Sequence, residues 1–323
     1  MPVTTALTIT GRLDNVLPDV EVAALTPLLE EIEDLKRQRN AVVLAHNYMT
    51  PDIYHGVADL TGDSLALARL AADTTADVIV MAGVHFMAET AKIVSPDKMV
   101  LIPDLEAGCS LADSITPADI ALLRERYPGA PVVTYVNTSA AVKAASDITC
   151  TSGNALAVVE SLDADRIIFL PDQYLGRWVA GQTNTEIILW QGSCEVHERF
   201  TAAELREYRK DYPGIQIIAH PECPTDVLEE ADYVGSTSGM LNWVRTEKPD
   251  RVVMVTECSM SDNVAVGSPD TEFVRPCNLC PYMKKITLEG IRDALSEMKH
   301  EVTVDDNIAE SARLAVDRML AVG

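Results

Sequence analysis

Three cysteines recur at nearly equal intervals and could together hold a metal centre. Cys109, Cys194 and Cys280 are separated by 85 and 86 residues. They lie in the short contexts GCS, GSC and CP, which are typical of loops or helix starts. Three thiolates suit an iron–sulfur cluster with one iron free of cysteine, or a zinc ion with an open fourth position. We favour the cluster, because three widely separated ligands can span an object larger than one ion.

The alternative for these thiols is that they are unrelated core residues, since a free cysteine often behaves as a small buried hydrophobe. Four further cysteines do not share the regular spacing, and we assign them structural or redox roles: Cys150, Cys223, Cys258 and Cys277. A second alternative is a zinc nucleobase deaminase, because the pairs His220/Glu222 and Cys277/Cys280 match its loose signature. That interpretation leaves most of the chain without a role.

Polar side chains that could perform acid–base chemistry follow three short apolar runs. They are His46, Tyr48, Tyr135, Asn137, His220 and Glu222. Ligands of open parallel α/β sheets bind beyond the carboxyl ends of the strands, so we expect these side chains to face one site.

Hydroxyl side chains near three predicted helix starts could bind anions. Ser64, Ser152 and Thr237 each follow one of the apolar runs. A helix N-terminus offers free N–H groups and a positive dipole, which favour carboxylate or phosphate. The alternative for these three residues is ordinary helix capping.

The elements that must position these residues repeat three times. Each copy begins with a β-branched run, at residues 42, 132 and 217, and continues with a Ser/Thr-led helical segment. An aspartate then opens a second apolar run, and a third strand leads to the cysteine. These aspartates, Asp77, Asp165 and Asp250, are 88 and 85 residues apart. We interpret the pattern as three βαβαβ units of about 85 residues.

The apolar runs are continuous, as in parallel strands buried on both faces. The sequence therefore predicts an α/β fold of three related three-layer α/β/α domains with short parallel sheets and an active site at their common interface. The expected boundaries are 1–127 for the first domain with an N-terminal helix, 128–212, 213–299, and 300–323 for a C-terminal helix. Thr26 and Pro27 predict the start of the N-terminal helix. The last helix is predicted at about 306–320.

The composition of the chain argues against several classes of function and partner. The 323 residues include 49 Asp and Glu against 26 Lys and Arg, a formal charge of −23, so we expect no nucleic-acid partner. The longest apolar stretch, 78–88, is too short to cross a bilayer, and no membrane partner is expected. The first ten residues carry no signal-peptide pattern. An odd number of cysteines, seven, argues against a disulfide framework and favours the cytoplasm.

Several stretches resemble the quinolinate synthase family of NAD biosynthesis, and they span nearly the whole chain in order. They are AHNYMTPDI, GDSLALA, EAGCSLAD, TYVNTSA, CTSGNA, GSCEVHE, HPEC, GSTSGM and CNLCPYMK. The resemblance implies a pseudo-threefold fold with a [4Fe-4S] cluster at the interface, held by Cys109, Cys194 and Cys280. It implies condensation of iminoaspartate with dihydroxyacetone phosphate to give quinolinate, phosphate and water, and a functional link to the L-aspartate oxidase that supplies iminoaspartate.

The resemblance also implies site residues. Those matching substrate-contacting positions are His46, Ser64, Tyr135, Asn137, Ser152, His220, Glu222 and Thr237, and Tyr48 and His197 match further active-site positions. For the proton transfers of the implied reaction, we expect Glu222 with His220 beside it to be the acid–base pair, and Tyr48 and His197 to be further catalytic groups. Some family members carry a CxxCxxC run, but Val274 stands at its first position here, which puts thiol switching within that run in doubt. Two other functions stay open: a non-catalytic iron–sulfur redox sensor, and a simple cluster-dependent hydro-lyase.

Overall fold

A computed structural model describes residues 9–322 of the chain, with side chains described from residue 11 onward. The expected absence of a signal peptide concerns the first ten residues. Of these, residues 1–8 lie outside the described range. None of the helices in the described range is long and apolar enough to span a membrane.

The strands form three separate four-stranded sheets, and every pairing between them is parallel. The first sheet contains β1 (Ala41–His46), β2 (Leu60–Gly62), β3 (Val78–Ala82) and β4 (Met99–Leu101). The second contains β5 (Val132–Tyr135), β6 (Ile148–Cys150), β7 (Arg166–Leu170) and β8 (Glu186–Leu189). The third contains β9 (Gln216–Ala219), β10 (Tyr233–Val234), β11 (Arg251–Val255) and β12 (Glu272–Val274).

The three sheets share one strand order. The sequence β2-β1-β3-β4 recurs as β6-β5-β7-β8 and as β10-β9-β11-β12. The two central strands of each sheet are almost entirely buried, which accounts for their unbroken apolar runs. Because helices flank each sheet, the predicted α/β fold class is confirmed. The prediction of three strands per unit was wrong, since β2, β6 and β10 add a short fourth strand at one edge.

The helices lie between and beyond the strands. Their bounds are α1 (Ile9–Arg12), α2 (Asp19–Arg39), α3 (Ser64–Asp73), α4 (His85–Val94), α5 (Pro117–Arg126), α6 (Ala140–Ala144), α7 (Ala155–Ser161), α8 (Gln173–Ala180), α9 (Ala202–Asp211), α10 (Thr225–Glu229), α11 (Thr237–Glu247), α12 (Ser259–Val266), α13 (Leu288–Glu297) and α14 (Asp306–Ala321). A π-helical turn covers Asp52–Val57, and short 3₁₀ turns cover Ala112–Ser114, His197–Arg199 and Met283–Lys285.

The predicted start of the N-terminal helix was wrong. Helix α2 begins at Asp19, so Pro27 lies inside it and Thr26 is not its N-cap. The Thr26 hydroxyl instead donates to the Val22 carbonyl oxygen, one turn earlier, at 2.7 Å. The predicted last helix is confirmed as α14, which packs against α6 and β6 of the second sheet.

One helix after each regularly spaced cysteine closes the three units into a ring. Helices α5, α9 and α13 are capped by the side chains of Thr116, Thr201 and Thr287, each seven residues after its cysteine. Helix α5 shares a core with the second sheet, and α9 shares one with the third. Helix α13 returns to the first sheet and packs against α2 and β3. Each unit therefore supplies a helix to the next, and the last supplies one to the first.

Gly192 permits a close approach in the loop that leads to Cys194. A Cβ at this position would lie 2.5 Å from the Pro171 carbonyl oxygen and 2.7 Å from Ser114 Oγ. The Gly192→Ala variant is therefore expected to lose about 1–3 kcal/mol of unfolding free energy, measured by urea denaturation.

Gly181→Ala is the matched control for this prediction. Gly181 follows α8 with a φ of −71°, and its Cβ would approach no atom closer than 3.5 Å. The control is expected to be neutral or to gain about 0.4–1 kcal/mol. Equal unfolding free energies for the two variants would contradict the close approach at Gly192.

Candidate active site

A cavity of about 740 Å³ lies where the carboxyl-end loops of all three sheets meet. Every site residue expected from the sequence lines it: His46, Tyr48, Ser64, Cys109, Tyr135, Asn137, Ser152, Cys194, His197, His220, Glu222, Thr237 and Cys280. The first four come from the first repeat unit, the next five from the second and the last four from the third. The equivalence of the repeats therefore brings distant segments to one place.

The Glu222 carboxylate is the centre of the hydrogen-bond network in this cavity. Its Oε1 accepts from Tyr135 Oη at 2.6 Å and from Asn137 Nδ2 at 3.3 Å, and its Oε2 lies 2.7 Å from His197 Nδ1. Burial acts to raise the pKa of Glu222, but the imidazoles of His220 and His197 and the hydrogen bonds outweigh it and hold that pKa below its usual range. The carboxylate is therefore ionised although it is buried.

Two histidines in the cavity are held neutral by burial. Burial lowers the pKa of His46 to about 4 and that of His220 to about 3. His46 Nδ1 accepts from the Tyr48 backbone N–H at 3.2 Å, so the proton of its neutral ring is on Nε2. His220 Nε2 lies 3.2 Å from Ser152 Oγ. Both rings can therefore donate one hydrogen bond without carrying charge.

The hydroxyls near the helix starts are not the helix caps. Asp63 caps α3 by accepting from the Ala66 N–H, and Ser236 caps α11 by accepting from the Gly239 N–H. Ser64 and Thr237 therefore do not cap, and the capping alternative is wrong for both. Their side chains face the cavity, as does Ser152 in the turn before α7. Among the described residues that line the cavity, none is Lys or Arg. Anionic groups would consequently meet neutral donors and helix N-termini there.

The three regularly spaced cysteines have the same local geometry. Each Sγ accepts hydrogen bonds from the backbone N–H groups two and three residues later, at the entrance to a 3₁₀ turn. Burial raises the pKa of Cys109 to about 12 and raises the pKa of Cys194 and of Cys280. The paired N–H donors favour sulfur as a thiolate, and a bound cation would reverse the effect of burial. These residues therefore fit a thiolate-held metal centre.

A smaller ligand set overlaps with this one. One ligand atom from each of Cys194, His197 and Glu222 lies within 4.8 Å of the others, so these three could hold a single metal ion. However, His197 Nδ1 and both oxygens of Glu222 already take part in hydrogen bonds. Cys277, which the deaminase signature requires, is exposed and is not among the described residues that line the cavity. Its Sγ lies 2.9 Å from Cys258 Sγ.

Sequence reasoning missed residues that follow the second apolar run of the third unit. Thr256 and Glu257 come directly after β11, and Glu257 lines the cavity. Lys284 Nζ lies 3.0 Å from Glu257 Oε1 and donates to the Tyr48 carbonyl oxygen at 3.0 Å. A sequence signal for these residues was available. Ligands bind beyond the carboxyl ends of parallel strands, and this applies to the second strand of each unit as well as to the first.

Comparison with known proteins gives a consistent answer. The family model described as "Quinolinate synthetase A protein" matches residues 30–321. "Quinolinate synthase 2" of Mesorhizobium japonicum is 64% identical over 311 residues, which are 96% of this chain and 96% of that protein. "Quinolinate synthase" of Agrobacterium fabrum is 63% identical over 317 residues, 98% of this chain and 92% of the relative. A further "Quinolinate synthase", from Xylella fastidiosa, is 64% identical over 294 residues, which are 91% of this chain and 87% of that protein.

The matches cover nearly the full length of this chain and include all three sheets and every cavity residue predicted from the sequence. The expected family resemblance is confirmed. The chain belongs to the quinolinate synthetase A family, whose enzymes make quinolinate for NAD biosynthesis.

Proposed function

We propose that this enzyme condenses iminoaspartate with dihydroxyacetone phosphate and releases quinolinate, phosphate and water. The observation that carries the proposal is the meeting of three cysteine thiols, one from each repeat unit, with the Glu222 hydrogen-bond network in a single cavity. Family membership supports the same reaction class.

The proposed metal group is a [4Fe-4S] cluster held by Cys109, Cys194 and Cys280. Support comes from the shared geometry of the three thiols, each with two backbone N–H donors. When bound, such a cluster would supply a Lewis-acidic iron for loss of a hydroxide leaving group. His197, whose Nδ1 lies 3.1 Å from Cys194 Sγ, lies between this thiol and Glu222.

Substrate binding is proposed to rely on neutral donors. Ser64 and Thr237 are the first residues of helices of ten and eleven residues, so each hydroxyl lies beside free backbone N–H groups. Ser152, Asn137 and His46 complete the proposed set of carboxylate- and phosphate-binding donors. A site with few cations suits substrates that must leave as anionic products, because strong charge pairing would also hold those products.

Acid–base chemistry is proposed to centre on Glu222. The Glu222 carboxylate can take a proton from a substrate carbon or nitrogen, and Tyr135, 2.6 Å from Oε1, holds the carboxylate in place. Tyr48, His220 and His197 are the other proposed catalytic groups, since all three side chains line the same cavity as Glu222. Condensation and dehydration need one group to remove protons and another to return them.

The decisive experiment is anaerobic purification with iron and sulfide analysis, followed by assay with dihydroxyacetone phosphate and with iminoaspartate generated in situ. Formation of quinolinate and phosphate in equal amounts is expected. A fully loaded cluster without quinolinate would reject the proposal. In that case, a cluster that only responds to oxygen would favour the redox sensor, and dehydration of a single hydroxy acid would favour the hydro-lyase.

We also retain the remaining expectations as proposals. A supply of iminoaspartate by an L-aspartate oxidase fits the short lifetime of an imine in water. The cytoplasm is the proposed location, because cluster-binding thiols require a reducing compartment. The proposed domain boundaries remain 1–127, 128–212, 213–299 and 300–323.

A further inference from the structure

Lys143 is a fully buried lysine near the cavity, and the mechanism proposed above does not use it. It lies in α6 of the second unit, and its side chain is completely removed from solvent. Its Nζ lies 5.6 Å from the centroid of the Phe86 ring. Phe86 lines the cavity, whereas Lys143 is not among the described residues that do so. Lysine is almost never fully buried unless its ammonium group is paired, so packing alone does not account for a lysine at this position.

The ammonium group of Lys143 contacts a backbone carbonyl group and an aromatic face. Its Nζ donates to the Thr138 carbonyl oxygen, and the Phe86 ring adds a cation–π contact from α4 of the first unit. Burial lowers the pKa of Lys143 to about 8, while the charge of Glu89, also on α4, acts to raise that pKa. The side chain is therefore a cation at neutral pH, and its hydrogen bond to Thr138 is charge-assisted.

Thr138 closes the turn after β5, which carries two side chains of the cavity. Its hydroxyl donates to the Tyr135 carbonyl oxygen at 3.2 Å, and its backbone N–H donates to the Val136 carbonyl oxygen at 2.8 Å. Tyr135 Oη and Asn137 Nδ2 both donate to Glu222 Oε1, at 2.6 and 3.3 Å. The position of Thr138 therefore determines where two donors to the Glu222 carboxylate lie.

Helix α4 of the first unit contacts α6 at two places. Glu89 Oε2 accepts from the Ala140 N–H at the start of α6 at 3.0 Å, and the Phe86 ring lies beside Lys143 near its end. An apolar side chain at position 143 could fill the same space. It could not donate to Thr138, however, and this buried carbonyl oxygen would lose its charged donor.

We propose that Lys143 is a positioning residue, which holds the turn after β5 in place and thereby aligns Tyr135 and Asn137 with Glu222. The positioning of the turn is argued from the contacts alone, whereas the expected effect on turnover rests on the proposed function. A charge-assisted hydrogen bond is about twice as strong as a neutral one, which suits a group that must hold a turn. Misplacing reactive groups by about 1 Å can lower turnover about 10²-fold.

Backbone hydrogen exchange tests the positioning of the turn without any assay of turnover. Anaerobically purified protein is compared with Lys143→Met, which keeps an unbranched side chain but removes the ammonium group. Mass spectrometry of peptides covering residues 136–138 is expected to show exchange about tenfold faster in the variant, because the turn opens more easily without its charged donor. Peptides from the third sheet are expected to exchange at the same rate in both proteins. An unchanged exchange rate at residues 136–138 would overturn the proposal.

Turnover and product binding separate positioning from a loss of folded protein. At equal iron content, Lys143→Met is expected to lower kcat about 10²-fold. Its affinity for quinolinate, measured by calorimetry, is expected to fall about tenfold, because Asn137 is displaced as well. A loss of folded protein would instead lower the number of binding sites and leave the affinity unchanged.

Lys36→Met is the matched control. Lys36 is also a buried lysine, and its Nζ donates to a backbone carbonyl oxygen, that of Val57, at 2.9 Å. Neither residue is among the described residues that line the cavity. Lys36→Met is expected to lower Tm, because Nζ also pairs with Glu33 and Asp59, and to leave kcat unchanged.

A double-mutant cycle tests whether Lys143 acts through the turn. Adding Lys143→Met to Tyr135→Phe should lower kcat by much less than about 10²-fold, because the phenol donor to Glu222 is already absent. Fully additive losses, an unchanged kcat in Lys143→Met, or the same loss in Lys36→Met would each count against the positioning role. If the unchanged protein makes no quinolinate, the proposed function fails, while hydrogen exchange still decides whether Lys143 holds the turn. The two failures are therefore distinguishable.

Discussion

Replacing Cys109, Cys194 or Cys280 with alanine, one at a time, is expected to abolish binding of the proposed iron–sulfur cluster. Each thiol comes from a different repeat unit, and each has its own pair of backbone N–H donors. The loss of one leaves two thiolates for a group that needs three protein ligands, and no other cysteine among the described residues lines the cavity. Iron and sulfide per chain after anaerobic purification should fall close to zero in all three variants, and quinolinate formation should fall with them.

Cys258→Ala is the control for the cysteine variants. Its thiol is buried near the same loop, with its Sγ 2.9 Å from Cys277 Sγ, but it does not line the cavity. This variant should keep its cluster. The overlapping ligand set makes a contrasting prediction: a single ion held by Cys194, His197 and Glu222 would survive Cys109→Ala and Cys280→Ala. Retention of iron in those two variants would therefore replace the cluster with a single-ion site.

Glu222→Gln is expected to keep the cluster and lose turnover, by about 10²–10⁴-fold in kcat. The amide has the size of the carboxylate but cannot take up a proton. It also cannot accept at both positions, because its NH₂ group would face either Tyr135 Oη or His197 Nδ1, which are both donors. Steady-state quinolinate formation at equal iron content is the measurement.

Glu195→Gln provides the comparison for Glu222. Glu195 also lines the cavity and stands next to Cys194, but it lies outside the network of Tyr135 and His197. Removing its charge should leave kcat near that of the unchanged enzyme. Retained turnover in Glu222→Gln, or an equal loss in Glu195→Gln, would remove the acid–base role assigned to Glu222.

The repeat spacing was enough to predict which distant residues lie together. Buried parallel strands require continuous apolar runs, and the positions of these runs show which residues are equivalent in the three units. Because ligands bind beyond the carboxyl ends of such strands, His46, Tyr135 and His220 could then be predicted to face one site. The cysteine spacing placed the thiols by the same logic, and all of these residues line the cavity.

Features that depend on tertiary contacts were not predictable from the sequence. Strands β2, β6 and β10 have only two or three residues, which is too short for a periodic signal. Helix α2 continues through Pro27 because its buried face, including Leu29 and Ile32, packs into the core, and this packing outweighs the local preference. Thr256 contacts Tyr48 and His197, which are both far away in sequence, so no local pattern could indicate these contacts.

The ring of helices has a consequence for synthesis of the chain on the ribosome. The strands of the first sheet emerge before α13, which packs against α2 and β3 but is translated only after the strands of the other two sheets. Part of the apolar surface of the nascent first unit therefore stays exposed while the other two units are translated. Such an exposed surface is what chaperones bind. The architecture that gathers three thiols in one cavity thus delays completion of the first unit until α13 of the third unit has left the ribosome.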